Sequence, residues 1–286
     1  MMRSIALLLN EESGDGSAAD VESMLREAGA DVAVFDVREP ERATASGPER
    51  LVVAGGDGSI GPAADAASRA GIPIAVIPAG TANDFAAIVE LPADLADACR
   101  LAVTGEELRS LELGRASGRP FVNVASIGLS PEAAEEAHGL KDRLGALAYP
   151  AGAVKAGASA DPVECEVRCD GDVLHSGEAW QVSIACTGAF GGGASLATDT
   201  TDGLLDVVVI EGSSRARLVK HAYGLRVGNV EGQKGVIDAR CAGVELRLDD
   251  SECLNIDGEI VPSSELAEAG TIGFRIDRDP FELVVG

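Results

Sequence analysis

Apolar positions follow two rhythms along this chain, and the change from one to the other divides it. In the first hundred or so residues, the short apolar runs "SIALLL", "DVAVFDV", "LVVAG" and "IPIAVIP" alternate with segments of helical period. Runs of that length bounded by turn residues read as buried strands. Between the first two, "SAADVESMLREAGA" sets Val21, Met24, Leu25 and Ala28 on one helix face, and Gly29 supplies a stop. Further helices are expected near Pro62–Ala70, Asn83–Val89 and Ala93–Val103. Strand and helix in alternation predict an α/β domain whose parallel sheet is covered on both faces.

From about Arg109 onward the helical period fades and strand-like runs take over: "RPFVNVAS", "PVECEVRC", "AWQVSIAC", "GLLDVVVI", "GVELRLD", "CLNID" and "TIGFRI". Turn residues separate them, as an antiparallel β-sandwich or barrel requires. One helical stretch, "LKDRLGALAYPAGAVKAG", interrupts them. Pro150 breaks it, and it reads as a lid or covering helix. No apolar run reaches the roughly 18 residues that span a bilayer.

Composition narrows the picture. Of 286 residues 46% are apolar but only 3% aromatic, so the cores must be built from Val, Leu, Ile and Ala. The net charge is −24, with 47 acids scattered among 23 bases, of which only four are Lys. Such a surface fits concentrated salt, where a Debye length of roughly 3 Å at 1 M screens self-repulsion. It argues against nucleic-acid binding, which needs clustered Lys and Arg. The six Cys show no zinc-ligand pairing. Cys165 and Cys169 flank Val167 at period two and read as packing on one strand face. Dispersed Cys and a strand entered by Ile5 predict a reducing, cytoplasmic setting without a signal peptide.

Candidate chemistry gathers where first-domain strands end, the place where ligands bind in such sheets. In "LVVAGGDGSIG" a buried strand stops on Gly55-Gly56-Asp57-Gly58-Ser59. A tight strand-to-helix turn accounts for this, and so does a cradle of backbone N–H groups that lets a phosphate chain approach. In the second case Asp57 could hold Mg²⁺ or accept a hydroxyl proton. The Walker A Lys and its spacing are absent. One strand later "IPAGTANDFA" repeats the arrangement, with Gly80 ending the turn and Thr81, Asn83 and Asp84 at a helix start.

"AGGDGS" followed about twenty residues later by "PAGTANDFA" and "LP" resembles the diacylglycerol-kinase catalytic domain. More closely, the chain is similar to bacterial lipid kinases related to sphingosine kinases and, distantly, to NAD kinases. "LLLNEESGDG", "FVNVASIGLS", "RLGALAY", "FGGGASL", "TDGLLDVVV" and "NIDGEIV" resemble further family motifs in family order. The resemblance implies a Rossmann-like, NAD-kinase-like α/β nucleotide-binding domain over 1–110, to which strand 279–286 returns. It implies an antiparallel β-sandwich acceptor domain over 111–278, with the active site in the cleft between the two. The implied activity is an ATP-dependent, Mg²⁺-dependent transfer to the hydroxyl of a lipid alcohol. The implied partners are that lipid, a membrane surface met transiently at the inner face, and no nucleic acid; a homodimer is left open.

By position, the resemblance assigns Asn10, Ser13 and Gly14 to the nucleotide. Gly55, Gly56, Gly58 and Ser59 go to its phosphates, with Gly80, Thr81 and Asn83 assisting. Asp57 and Glu259 become the Mg²⁺-binding and base-like carboxylates, with Asp84 in their network. Asp202, with the Leu204 carbonyl, falls where relatives hold a structural Mg²⁺, although Asp202-Gly203 reads from the residues first as a hairpin turn.

There are departures. Gly61-Pro62-Ala63 stands where relatives usually carry Asn-Glu-Val, and Pro62 suits a first helical position. Glu11 replaces a Pro, Thr187 an Asn, and "DVREPERATASGPER" is short enough to lack a helix and a nucleotide-contacting loop. An NAD kinase and a nucleotide- or lipid-sensing relic are the competing readings.

Overall fold

The computed structural model describes residues 2–9, 17–80, 83–128, 161–186, 202–212, 235–277 and 279–286. By contacts the chain divides into two compact units, Met1–Leu113 with Pro120–Val122 and Asp277–Gly286, and Gly114–Arg119 with Asn123–Ile276.

The first unit alternates as its apolar rhythm predicts: β1 (Arg3–Leu9), α1 (Ser17–Glu27), β2 (Ala30–Asp36), α2 (Pro40–Ala45), β3 (Arg50–Gly55), α3 (Asp57–Ala70), β4 (Ile74–Pro78), α4 (Asp84–Ile88), α5 (Leu95–Thr104) and β5 (Leu108–Leu111). Within strands, residues point to alternate faces. Thus Ala6, Leu8, Leu51, Val53, Ile74 and Val76 enter one buried cluster, with residues of α2, α3 and α4. Ile5, Leu7, Val52, Ala54, Ala75 and Ile77 enter the other, under α1 and α5. The sheet is covered on both faces.

β1, β2, β3 and β4 pair in parallel. The C-terminal strand β17 (Phe281–Val284) adds to β4 in parallel, and β5 closes that side antiparallel to β17. Phe85 of α4 packs against Phe281, ring centroids 6.4 Å apart.

One local expectation is corrected. The helix after β3 starts at Asp57, so Pro62 lies inside it and not at its first position. Gly56, extended, already serves as N-cap, and the turn is shorter than the glycines suggest. The segment "EPERATA" carries the short helix α2, with Pro40 at its start.

The second unit is an antiparallel, sandwich-like array: β6 (Gly114–Ala116), the first residue of β7 (Arg119–Phe121), whose other two belong to the first unit, β8 (Val124–Gly128), β9 (Val163–Cys169), β10 (Asp172–Ala185), β11 (Leu205–Glu211), β12 (Val236–Cys241), β13 (Gly243–Leu248), β14 (Cys253–Ile256), β15 (Glu259–Pro262) and β16 (Ile272–Ile276), with one-turn helix α6 (Ser263–Leu266). The long strand β10 organises it. Its first half pairs with β9, and after a register shift at Trp180 its second half lies between β8 and β11. A strand that changes partners at a bulge is how sandwiches turn their corners.

The cysteine expectation is also corrected. Cys165 and Val167 are buried core residues, but Cys169, at the strand end, forms a disulfide with Cys241 of β12. Spacing alone could not show this, because the partner lies 72 residues away and is delivered by the antiparallel path. The other four Cys form no disulfide, and burial pushes the thiols of Cys99 and Cys165 up to about 11. Among the described residues, no helix is long and apolar enough to cross a membrane.

Candidate active site

The two glycine turns of the first unit touch backbone to backbone. The Ala79 N–H donates to the Gly55 carbonyl at 3.1 Å. A Cβ on Gly80 would stand 2.5 Å from Gly56 Cα, so only glycine permits this approach. Asn83, in the left-handed region at φ 52°, closes the second turn with its own amide. Its Oδ1 accepts the Gly80 N–H and its Nδ2 donates to the Gly80 carbonyl, each at 2.8 Å.

Asp57 ties the turns together. Its Oδ2 accepts the Asp84 N–H at 3.1 Å and its Oδ1 the Phe85 N–H at 2.9 Å. The carboxylate therefore caps α4 from another helix, while sitting in the first turn of α3, where N–H groups lack intrahelical partners. Cap and candidate ligand are compatible roles. Each oxygen has spent one lone pair on a neutral donor, and a carboxylate has about four to offer.

That capacity fits Mg²⁺, which is usually bound through one or two carboxylates and the phosphates of a substrate. The half-exposed Gly55–Ser59 turn fits the phosphates. Ser59 contributes less than its hydroxyl promises, because its proton goes to the Gly56 carbonyl at 2.6 Å. Asn10, Ser13, Gly14 and Thr81 lie outside the described residues.

The departure at Gly61 has a structural cause. A Cβ there would lie 2.9 Å from the Pro120 carbonyl oxygen and 3.2 Å from Phe121 Cα. Helix α3 thus packs directly on the 120–121 backbone, in space that an Asn would need.

In the second unit, Glu259 opens β15 after a two-residue turn, Asp257-Gly258, with both φ values positive (49° and 91°). This is the hairpin geometry that Asp-Gly favours. The turn is pinned from below: buried Asp257 accepts the Asn123 and Val124 N–H groups at 2.9 and 3.0 Å. The Glu259 side chain is 56% exposed, and its Oε2 accepts from Arg119 Nη2 at 2.6 Å. Asp257 pins the turn and Arg119 holds the Glu259 carboxylate, two contacts that sequence reasoning missed. The hairpin dipeptide was a legible signal for the first, whereas nothing in the sequence joins residue 119 to residue 259.

Asp202 and Leu204 meet in a turn, as the dipeptide Asp202-Gly203 suggests. The Leu204 N–H donates to Asp202 Oδ1 at 3.0 Å, and Asp202 Oδ2 accepts from Arg240.

Comparisons with known proteins agree with this layout. The family pattern described as "Diacylglycerol kinase catalytic domain" matches residues 4–116. The one described as "YegS C-terminal NAD kinase beta sandwich-like domain" matches residues 123–269. The chain belongs to the diacylglycerol kinase family.

It is 30% identical to "Probable lipid kinase YegS-like" of Pseudomonas fluorescens over 84% of this chain and 81% of that protein. It is 29% identical to the "Diacylglycerol kinase" of Bacillus subtilis over 86% and 76%. A crystal structure of a diacylglycerol kinase from Bacillus anthracis has the same fold, with a TM-score of 0.71 at 20% identity, covering 99% of this chain and 97% of that one. The member described here is accordingly a phosphotransferase that acts on an alcohol group.

Proposed function

We propose that this family member is an ATP- and Mg²⁺-dependent lipid kinase that transfers the γ-phosphoryl group to the hydroxyl of a lipid alcohol. The observation that carries the reading is the Asp57 carboxylate bridging two glycine turns whose backbones touch. Such a surface offers N–H groups and one acid to a polyphosphate, and nothing bulky. Phosphoryl transfer asks chiefly for positioning and charge stabilisation, so a cradle of this kind can supply much of the catalysis.

Asp57, with the phosphates of the nucleotide, would hold Mg²⁺, which when bound supplies positive charge against the oxygens of the transferring group. Glu259 accepts the proton of the attacking hydroxyl. Arg119 holds one of its oxygens and leaves the other for the substrate. Asp57 and Glu259, one on each unit, are assigned to the same transfer. The lipid reaches the enzyme at the inner membrane face, through transient contact by a cytoplasmic protein. The helical stretch broken by Pro150, residues 140–157, lies outside the described residues.

The deciding experiment incubates the protein with radiolabelled ATP, Mg²⁺ and either total lipid extract or NAD, at high salt. Label in a lipid phosphate supports the proposal. Label in a phosphorylated dinucleotide supports an NAD kinase, and ATP binding without transfer supports the sensing relic.

A further inference from the structure

The second unit carries an arrangement that the transfer reaction does not use. Asp206, the second residue of β11, has a side chain only 4% exposed. A carboxylate buried to that extent needs a counter-charge. It comes from the adjoining strand: Asp206 and Arg240 are partners in the β11–β12 ladder, and Arg240 Nε donates to Asp206 Oδ1 at 3.1 Å. The same guanidinium donates through Nη2 to Asp202 Oδ2. The Asp202 hydrogen bond, foremost, raises the Arg240 pKa further, so its charge is permanent.

The residues at this turn do not fit the structural Mg²⁺ that the family resemblance implies. Mg²⁺ demands near-ideal octahedral oxygen coordination. Here one oxygen of Asp202 takes the Leu204 N–H and the other takes the guanidinium. A second cation would face the charge of Arg240 at contact distance, and like charges so placed repel. Among the described residues, no group of three or more His, Cys, Asp or Glu could hold a metal ion.

We propose that Arg240 is the built-in counter-ion of Asp202 and Asp206, replacing a divalent cation, so that this unit keeps its fold without a metal. A guanidinium can do this because its fork presents several donors to two carboxylates at once. One strand-borne side chain thereby anchors the turn ahead of β11 and neutralises the buried acid. The inference is independent of which alcohol the enzyme phosphorylates.

Thermal unfolding of the nucleotide-free protein, in EDTA and in millimolar Mg²⁺ at matched ionic strength, tests it. The wild-type midpoint is expected to stay within about a degree between the two conditions. Arg240→Met should lower the midpoint by about 5–10 °C and make it rise with Mg²⁺, because two acids have lost their partner. Arg240→Lys should recover part of the loss.

If Arg240→Met does not fold, Arg240→Met/Asp206→Asn decides: recovery of folding supports the proposal, and continued failure overturns it. A wild-type midpoint that rises with Mg²⁺ and stops rising in Asp202→Asn would show that the turn binds the cation after all. An Arg240→Met midpoint equal to wild type would be equally fatal.

Discussion

Asp57 and Asp202 both sit beside glycine at a turn, and family position marks both for magnesium, yet their surroundings set them apart. Asp57 accepts two backbone N–H groups, which fix its direction. Asp202 is held by one backbone N–H and by a guanidinium that it shares with Asp206. We assign the first acid to a cation and the second to its own chain. Whether a carboxylate is a ligand or a strut depends on the charge of what already touches it, and a local motif does not record that.

The largest effect that would probe this contrast between the two units concerns the disulfide that ties strands of the second. Closing a loop of 72 residues constrains the unfolded chain by about 4 kcal/mol in the chain-entropy treatment. Reduction, or Cys169→Ser/Cys241→Ser, should lower denaturant stability by up to that amount and leave the first unit's nucleotide binding intact. Thiol titration of the unfolded, unreduced protein should find four reactive cysteines, the four outside the disulfide.

Next come the two acids. Asp57→Asn and Glu259→Gln should each reduce kcat at least about a hundredfold, the lower end for losing a positioned acid–base group. Asp57→Asn should also cost about 1 kcal/mol of stability through the weakened α4 cap. Normal turnover in either variant would remove that residue from the reaction.

A smaller effect is expected at Gly61. Restoring the family's Asn should destabilise the first unit by about 1–3 kcal/mol through overpacking against Pro120 and Phe121, read by chemical denaturation. If Gly61→Asn were neutral, the close approach of α3 would have some other cause.

The smallest belongs to Arg119. Its pair with Glu259 is half-open to solvent, and such pairs are worth about 0.2–1 kcal/mol. Arg119→Ala should therefore lower kcat/KM by only about two- to fivefold, with Arg119→Lys in between. A loss as large as that of Glu259→Gln would instead place the guanidinium on the substrate.

Much of this could be read along the chain, because the forces concerned act over a few residues. Alternating burial in β1, β3 and β4 follows from side chains pointing to opposite faces, and α1 shows its apolar stripe at helical spacing. The glycine turns were visible because only glycine lets two backbones meet, and the Asp257-Gly258 hairpin announces its own geometry. Errors came where a second segment intervenes. Pro62 suits a helix start by residue type, but Gly56, six residues earlier, already supplies the cap.

Only the tertiary structure decided which partners the charged and sulfur-bearing side chains would meet. Cys169 finds Cys241, Glu259 finds Arg119, and Asp202 and Asp206 find Arg240, across separations of 34 to 140 residues. Strand pairing selects those neighbours, and the electrostatic fate of each group then follows from a few ångströms of contact. Apolar pattern and turn chemistry are written locally; charge compensation depends on who arrives from elsewhere in the chain.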